Sequence, residues 1–155
     1  MSKKAVSGER VLVVDDDPET RESVGEALER AGFAPTLAAT GEQGLVLLRE
    51  WPRRIGWLYT KAELPGLVDG WILAEEFHQA HPSRPVLYRV PRHAKRQSYE
   101  GGIALTTPVS PRRVAEVLLS LRQSEGMSAT EVTRWAALDA RVRVGEPRLQ
   151  ECGQL

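Results

Sequence analysis

Trp57-Leu58-Tyr59-Thr60-Lys61-Ala62-Glu63-Leu64-Pro65-Gly66-Leu67-Val68-Asp69-Gly70-Trp71 is the stretch on which the reading of this chain turns. An apolar run ends near Thr60, a turn-rich segment follows with Pro65, Gly66 and Gly70, and a helical pattern begins behind it. That succession describes a buried strand, a loop and a helix start. In a parallel α/β sheet, the crevice between strand end and helix start is where ligands bind and chemistry occurs. The side chain at the strand's carboxyl end is Lys61.

Working outward from this unit, strands and helices alternate. Val11-Leu12-Val13-Val14 is a continuous β-branched run of the kind a strand buried on both faces requires, and it ends in Asp15-Asp16-Asp17. Asp17 is predicted to cap a helix, with Pro18 at the first helical position and Glu19 complementing the amino-terminal dipole. Val24, Ala27, Leu28 and Ala31 form the buried stripe of that helix, and Gly32 stops it. Residues 34–39 read as a second, more exposed strand. Thr40 with Gln43 makes a capping box for a helix carrying Leu47 and Leu48, which Pro52 ends. Beyond the Lys61 loop, Asp69 is expected to cap a helix that buries Leu73, Ala74 and Phe77 and closes at Pro82. Pro85-Val86-Leu87-Tyr88-Arg89-Val90 is the fourth strand. Residues 91–102 are basic and lack helical periodicity. Residues 103–106 give a short fifth strand, and Ser110-Pro111 opens a helix with Val114, Val117, Leu118 and Leu121 on one face. The expected fold is therefore α/β: a doubly wound, five-stranded parallel sheet.

The chain has 155 residues, 41% of them hydrophobic, enough for one domain with a sizeable core and a short remainder. Twenty-one basic residues balance 21 acidic ones, a charge that calls for neither nucleic acid nor an anionic membrane. No apolar run approaches the roughly 20 residues of a membrane span, and Met1-Ser2-Lys3-Lys4 is not followed by the apolar core of a signal peptide; a cytoplasmic protein is expected. The single cysteine, Cys152, excludes an internal disulfide and a thiolate metal cluster. From about Ser124 the pattern changes. Ser128 and Glu131 form another capping box, and Val132, Trp135, Ala136 and Val142 read as one side of an appended helix. A tryptophan on so short an amphipathic helix needs a cover, either the domain's own surface or a second copy of the chain; a homodimer is expected, with folding back onto the domain as the competing arrangement.

The residues now in view carry a resemblance. Val11-Leu12-Val13-Val14-Asp15-Asp16-Asp17-Pro18, then Leu64-Pro65-Gly66 and Asp69-Gly70, then Pro85-Val86-Leu87, then Thr107-Pro108 ahead of the last helix, resemble the receiver domain of two-component response regulators. The likeness covers residues 9–123, leaving 124–155 as a helical extension, and Val68 looks like a one-residue insertion. It implies a flavodoxin-like fold. In that family an aspartate at the end of the third strand takes a phosphoryl group from a histidine kinase, and an acidic pair after the first strand holds Mg²⁺. A Ser or Thr ends the fourth strand and a Lys precedes a proline after the fifth. Signalling moves the surface of the fourth and fifth helices and the fifth strand.

Carried over position by position, the resemblance keeps Asp15 and Asp16 as the acidic pair. The phosphoacceptor position falls on Lys61, the hydroxyl position on Val90 and the lysine position on Thr107. An ammonium cannot form an acyl phosphate, and valine has no hydroxyl. The chain thus looks like a degenerate receiver, a pseudo-receiver, whose metal pair is vestigial. Neighbouring strand ends place Lys61 close to Asp15 and Asp16, where a cation relieves the repulsion of two clustered carboxylates. Mg²⁺ binding is expected to be weak or absent, no other cofactor is implied, and no catalytic residue is assigned.

The function this implies is a phosphorylation-independent regulatory or protein-interaction module in two-component signalling, not an enzyme, with a histidine kinase or another regulator as partner. Two alternatives stand beside it. One is a receiver that still takes a phosphoryl group at an atypical residue, as a relay or phosphate sink. The other is a small phosphatase of the haloacid-dehalogenase type, suggested by Asp15-x-Asp17, although no second carboxylate pair follows Asp69. His78 and His81 lack a third ligand and read as a solvated helix face. Arg89, Arg92, His93, Lys95 and Arg96 read as a solubilising or acidic-surface-binding run.

Overall fold

The computed structural model describes residues 9–92 and 101–124, and 142–144 as backbone. The elements are β1 (Arg10–Val14), α1 (Pro18–Arg30), β2 (Ala34–Ala38), α2 (Gly41–Glu50), β3 (Ile55–Lys61), α3 (Gly70–Ala80), β4 (Val86–Val90), β5 (Gly102–Thr106), α4 (Pro111–Gln123) and β6 (Val142–Val144). They form one sheet in the order β2-β1-β3-β4-β5-β6, with β1 to β5 parallel and β6 antiparallel to β5. The order runs outward in both directions from β1 and β3. The carboxyl ends of these two strands therefore flank the point at which the winding reverses, where an open α/β sheet forms its crevice.

Side-chain alternation divides the core into two layers. Val11, Val13, Trp57, Tyr59, Leu87, Ile103 and Leu105 pack beneath α1 and α4 with Val24, Leu28, Val114 and Leu118. Leu12, Val14, Leu58, Val86, Tyr88, Val90 and Ala104 pack beneath α2 and α3 with Leu48, Leu73 and Phe77. Odd-numbered residues of β1, β4, β5 and of β3 from Trp57 onward thus face α1 and α4, while even-numbered ones face the other layer; Ile55, before a register shift against β1, lies in the α2 and α3 layer. This parity decides which polar side chains meet at the carboxyl end.

The helix starts follow their chemistry. Asp17 accepts a hydrogen bond from Thr20 N (3.0 Å), Thr40 from Gln43 N (3.1 Å) and Ser110 from Arg113 N (3.1 Å), with Pro18 and Pro111 opening α1 and α4. Gln43 Oε1 accepts in turn from Ala39 N (2.9 Å), one residue before the cap, so both side chains of the pair hold the helix start. Gly32 ends α1 with φ +97°, a backbone state that L side chains avoid.

Two expectations need correction. Asp69 stands at the cap position of α3 but makes no cap hydrogen bond, and its buried Oδ1 finds no partner among the described residues. The helix start is tied through its backbone: Gly70 N donates to Ala62 O (3.0 Å), which pins the loop to the end of β3. The five parallel strands are those expected, and Val142–Val144 adds a sixth strand, antiparallel, at the edge of β5. Val142 consequently lies in a strand and not on the appended helix: the outer edge of β5 offers unpaired backbone groups to an extended segment. Val132, Trp135, Ala136, the Ser128–Glu131 box, Cys152, and His93, Lys95 and Arg96 of the basic run lie outside the described residues.

Candidate functional site: a pocket of paired charges

Asp15 follows directly on β1 and is completely buried. Its backbone N still belongs to the sheet, donating to Ala38 O of β2 (3.2 Å), and its carbonyl accepts from Arg21 Nη1 (2.8 Å). Both carboxylate oxygens are engaged by Arg89 of β4: Nε donates to Oδ2 at 2.9 Å and Nη2 to Oδ1 at 3.0 Å. Oδ1 also accepts from Asp17 N (3.0 Å). This is a bidentate guanidinium–carboxylate fork, among the stronger polar contacts a protein makes. Burial works against the guanidinium's charge, yet the hydrogen bonds and charge of Asp15 outweigh it, so Arg89 holds its proton more firmly than a free arginine.

Asp16 makes the second pair. Lys61 Nζ lies 2.9 Å from Asp16 Oδ1, with the two side chains about one-third exposed (30% and 34%). The hydrogen bond from Lys61, helped by the charges of Lys61 and Arg89, holds the Asp16 carboxyl below its usual range despite some desolvation. Asp17 is also lowered, chiefly by its hydrogen bonds from Thr20 Oγ1 and Thr20 N. Tyr59, two residues before Lys61 on the same face, lies at the floor. Burial pushes its hydroxyl far above an ordinary phenol, and the neighbouring Arg89 charge offsets this only in part.

The rim is fixed by backbone. Ala62 N donates to Arg89 O (3.0 Å) and Thr107 N to Val90 O (2.9 Å), so β3, β4 and the segment after β5 are tied at their carboxyl ends. The Thr107-Pro108 peptide is cis. On the far side, Glu42 of α2 accepts from Leu67 N (3.0 Å) and clamps the loop between β3 and α3, where Gly66 takes φ +97°. That hydrogen bond, first among several backbone contacts, holds the Glu42 carboxyl below its normal range.

The structure therefore brings Asp15, Asp16 and Lys61 to one strand-end cluster, with the ion pair of Lys61 directed to Asp16. Val90 is not in it: its even number places it in the layer under α2 and α3, 1% exposed. Thr107 sits at the rim through its backbone. The residue that sequence reasoning missed is Arg89, assigned to a solvated basic run. A charge in the middle of an otherwise apolar buried strand needs a partner, and odd parity aims residue 89 at the carboxyl end of β1. That signal was available in Val86-Leu87-Tyr88-Arg89-Val90. His78 and His81 share no metal-like grouping; His78 Nε2 is 2.9 Å from Arg84 O, and the His81 ring packs on Phe77.

A hard divalent cation needs clustered carboxylate oxygens with free lone pairs and a net negative pocket. Here the two oxygens of Asp15 each receive a guanidinium N–H, and an ammonium occupies Oδ1 of Asp16. Among the described residues no group of three or more His, Cys, Asp or Glu side chains assembles. The residues present do not fit Mg²⁺.

These features define a flavodoxin-like fold with a charge-paired crevice at the switch of its winding, and solved receiver domains resemble it. A response regulator receiver domain protein from Clostridium thermocellum superposes with a TM-score of 0.67 at 19% identity, covering 77% of this chain and 98% of its own. A response regulator receiver protein from Sinorhizobium medicae gives 0.66 at 20%, covering 79% and 98%. A receiver domain protein from Methanospirillum hungatei gives 0.63 at 26%, covering 79% and 100%. The chain has the fold of a response-regulator receiver domain. No protein-family model and no curated protein matches its sequence.

Proposed function

We propose that this chain is a degenerate receiver: a regulatory or protein-interaction module of two-component signalling that works without phosphorylation. The observation that carries the reading is the double pairing at the strand ends, Asp15 with Arg89 and Asp16 with Lys61. An intact receiver brings together carboxylates whose charge a metal ion neutralises, leaving one of them free to accept a phosphoryl group. In this chain side chains supply the neutralising charge permanently, so the crevice offers neither a free carboxylate nucleophile nor a metal seat. The fold would then hold one arrangement, and a partner protein, such as a histidine kinase or another regulator, would read its surface directly. No catalytic residue is assigned in this reading.

The test is incubation of the chain with acetyl phosphate and Mg²⁺, followed by intact-mass measurement beside a phosphorylatable receiver as control. The expected spectrum shows the unmodified mass only. A phosphorylated species that maps to Asp15, Asp16 or Asp17 would replace this reading with that of a receiver using an atypical acceptor.

A further inference from the structure

Beyond the crevice, the outer edge of β5 has an occupant that a five-stranded sheet would lack. Thr107 N donates to Val90 O and Val86 N donates to Gly101 O. Peptide groups along a strand point alternately to its two neighbours, so the odd-numbered residues of β5 turn their N–H and C=O toward β4. Ala104 turns its own outward, and Arg143 of β6 lies directly opposite it, with Ile103 opposite Val144 and Leu105 opposite Val142. Ala104 and Arg143 are therefore the pair that exchanges both hydrogen bonds in this antiparallel ladder.

We propose that the outer edge of β5 is a strand-accepting site for an extended peptide segment, and that Val142–Val144 is the chain's own occupant of it. Residues 102–106 of β5 carry no charge and no proline that would blunt an edge, which makes this edge a template of the kind that pairs with an extended chain. β6 is only three residues long. So short a pairing opens at low free energy compared with the core strands. It is held in place by its tether, since residues 125–141, the 17 positions between Ser124 and Val142, keep the segment at high local concentration. A partner that adds a strand to the sheet must displace Val142–Val144 first, so the segment sets the threshold for such an encounter.

The test is hydrogen exchange by NMR on the full chain and on R143P, which removes the N–H that faces Ala104. Exchange of the Ala104 amide is expected to rise about tenfold or more in R143P, as loss of one hydrogen-bonded pair implies. The Ile103 and Leu105 amides, bonded to β4, serve as internal controls and stay protected. R143A retains the N–H and is expected to match the unsubstituted chain. A synthetic peptide of residues 140–145, added to R143P, is expected to restore protection at Ala104 while leaving the unsubstituted chain unchanged. Equal Ala104 exchange in the full chain and R143P would overturn the pairing. Restored protection failing to appear with the peptide would overturn the strand-accepting site.

Discussion

Arg89 and Lys61 make similar ion pairs on paper but differ in what surrounds them. Asp15 is fully buried and has a guanidinium on both oxygens, so Arg89→Ala leaves an uncompensated charge in the interior. Loss of one partner of such a pair costs about 3–5 kcal/mol. Lys61 and Asp16 remain about one-third exposed (30% and 34%), and solvent already screens them. Lys61→Ala is expected to cost no more than about 1 kcal/mol. Urea denaturation of the two variants checks the ranking: Arg89→Ala loses several times what Lys61→Ala loses. Lys61 as the one cation serving both aspartates, the arrangement expected from the sequence, would have reversed that order. The pH dependence separates the pairs further. The folded-state pKa of Asp16 is depressed by Lys61, so this pair's contribution is fully present above the unfolded value near 3.8 and is lost as pH falls through the lower folded value. Comparing Lys61→Ala with the parent from pH 7 to 2 is expected to show a stability difference that shrinks below about pH 4. A difference that stays constant down to pH 2 would mean the ammonium does not act through Asp16.

At the scale of elements, tight approaches matter as much as hydrogen bonds. A Cβ on Gly41 would stand 1.9 Å from Val68 O, a backbone atom that moves only with the loop between β3 and α3. Gly41→Ala would raise helix propensity in α2, yet it is expected to destabilise the fold by about 1–3 kcal/mol, because the loop must be pushed off its seat. Calorimetric unfolding shows which effect wins; a higher midpoint would mean the loop yields freely. Ser110→Ala, which removes the cap of α4, is expected to cost about 1 kcal/mol in the same measurement. The capped starts, the apolar runs of β1, β3 and β4 and the stripe of α1 were legible in the sequence, because each is encoded within a few residues. The missing Asp69 cap bond was not, since whether that carboxylate reaches the first free N–H groups of α3 depends on how the folded loop sets the backbone and not on residue type. Val142–Val144 escaped for a similar reason. Three residues carry too little period to mark a strand, and what makes them one is the vacant edge of β5, distant in sequence. Arg89 was legible by parity, but its basic neighbours in the sequence drew attention away from the strand it belongs to.

Across the whole molecule the charge balance of the crevice repeats that of the chain. Asp15, Asp16 and Asp17 stand against Arg21, Lys61 and Arg89, three acids and three bases, in a protein whose formal net charge is zero. Such a surface neither attracts a cation from a distance nor rewards its arrival. Among the described residues no helix is long and apolar enough to cross a membrane. The claim on which the account depends is that side-chain cations have replaced the metal. The direct measurement is a Mg²⁺ titration followed by amide shifts of Asp16, Asp17 and Lys61 in the unsubstituted chain. The account predicts no saturable change through the millimolar range, where even weak oxygen-ligand sites for hard cations fill. Saturable shifts centred on Asp15 and Asp16 in that range, with Lys61 displaced from Asp16, would contradict it.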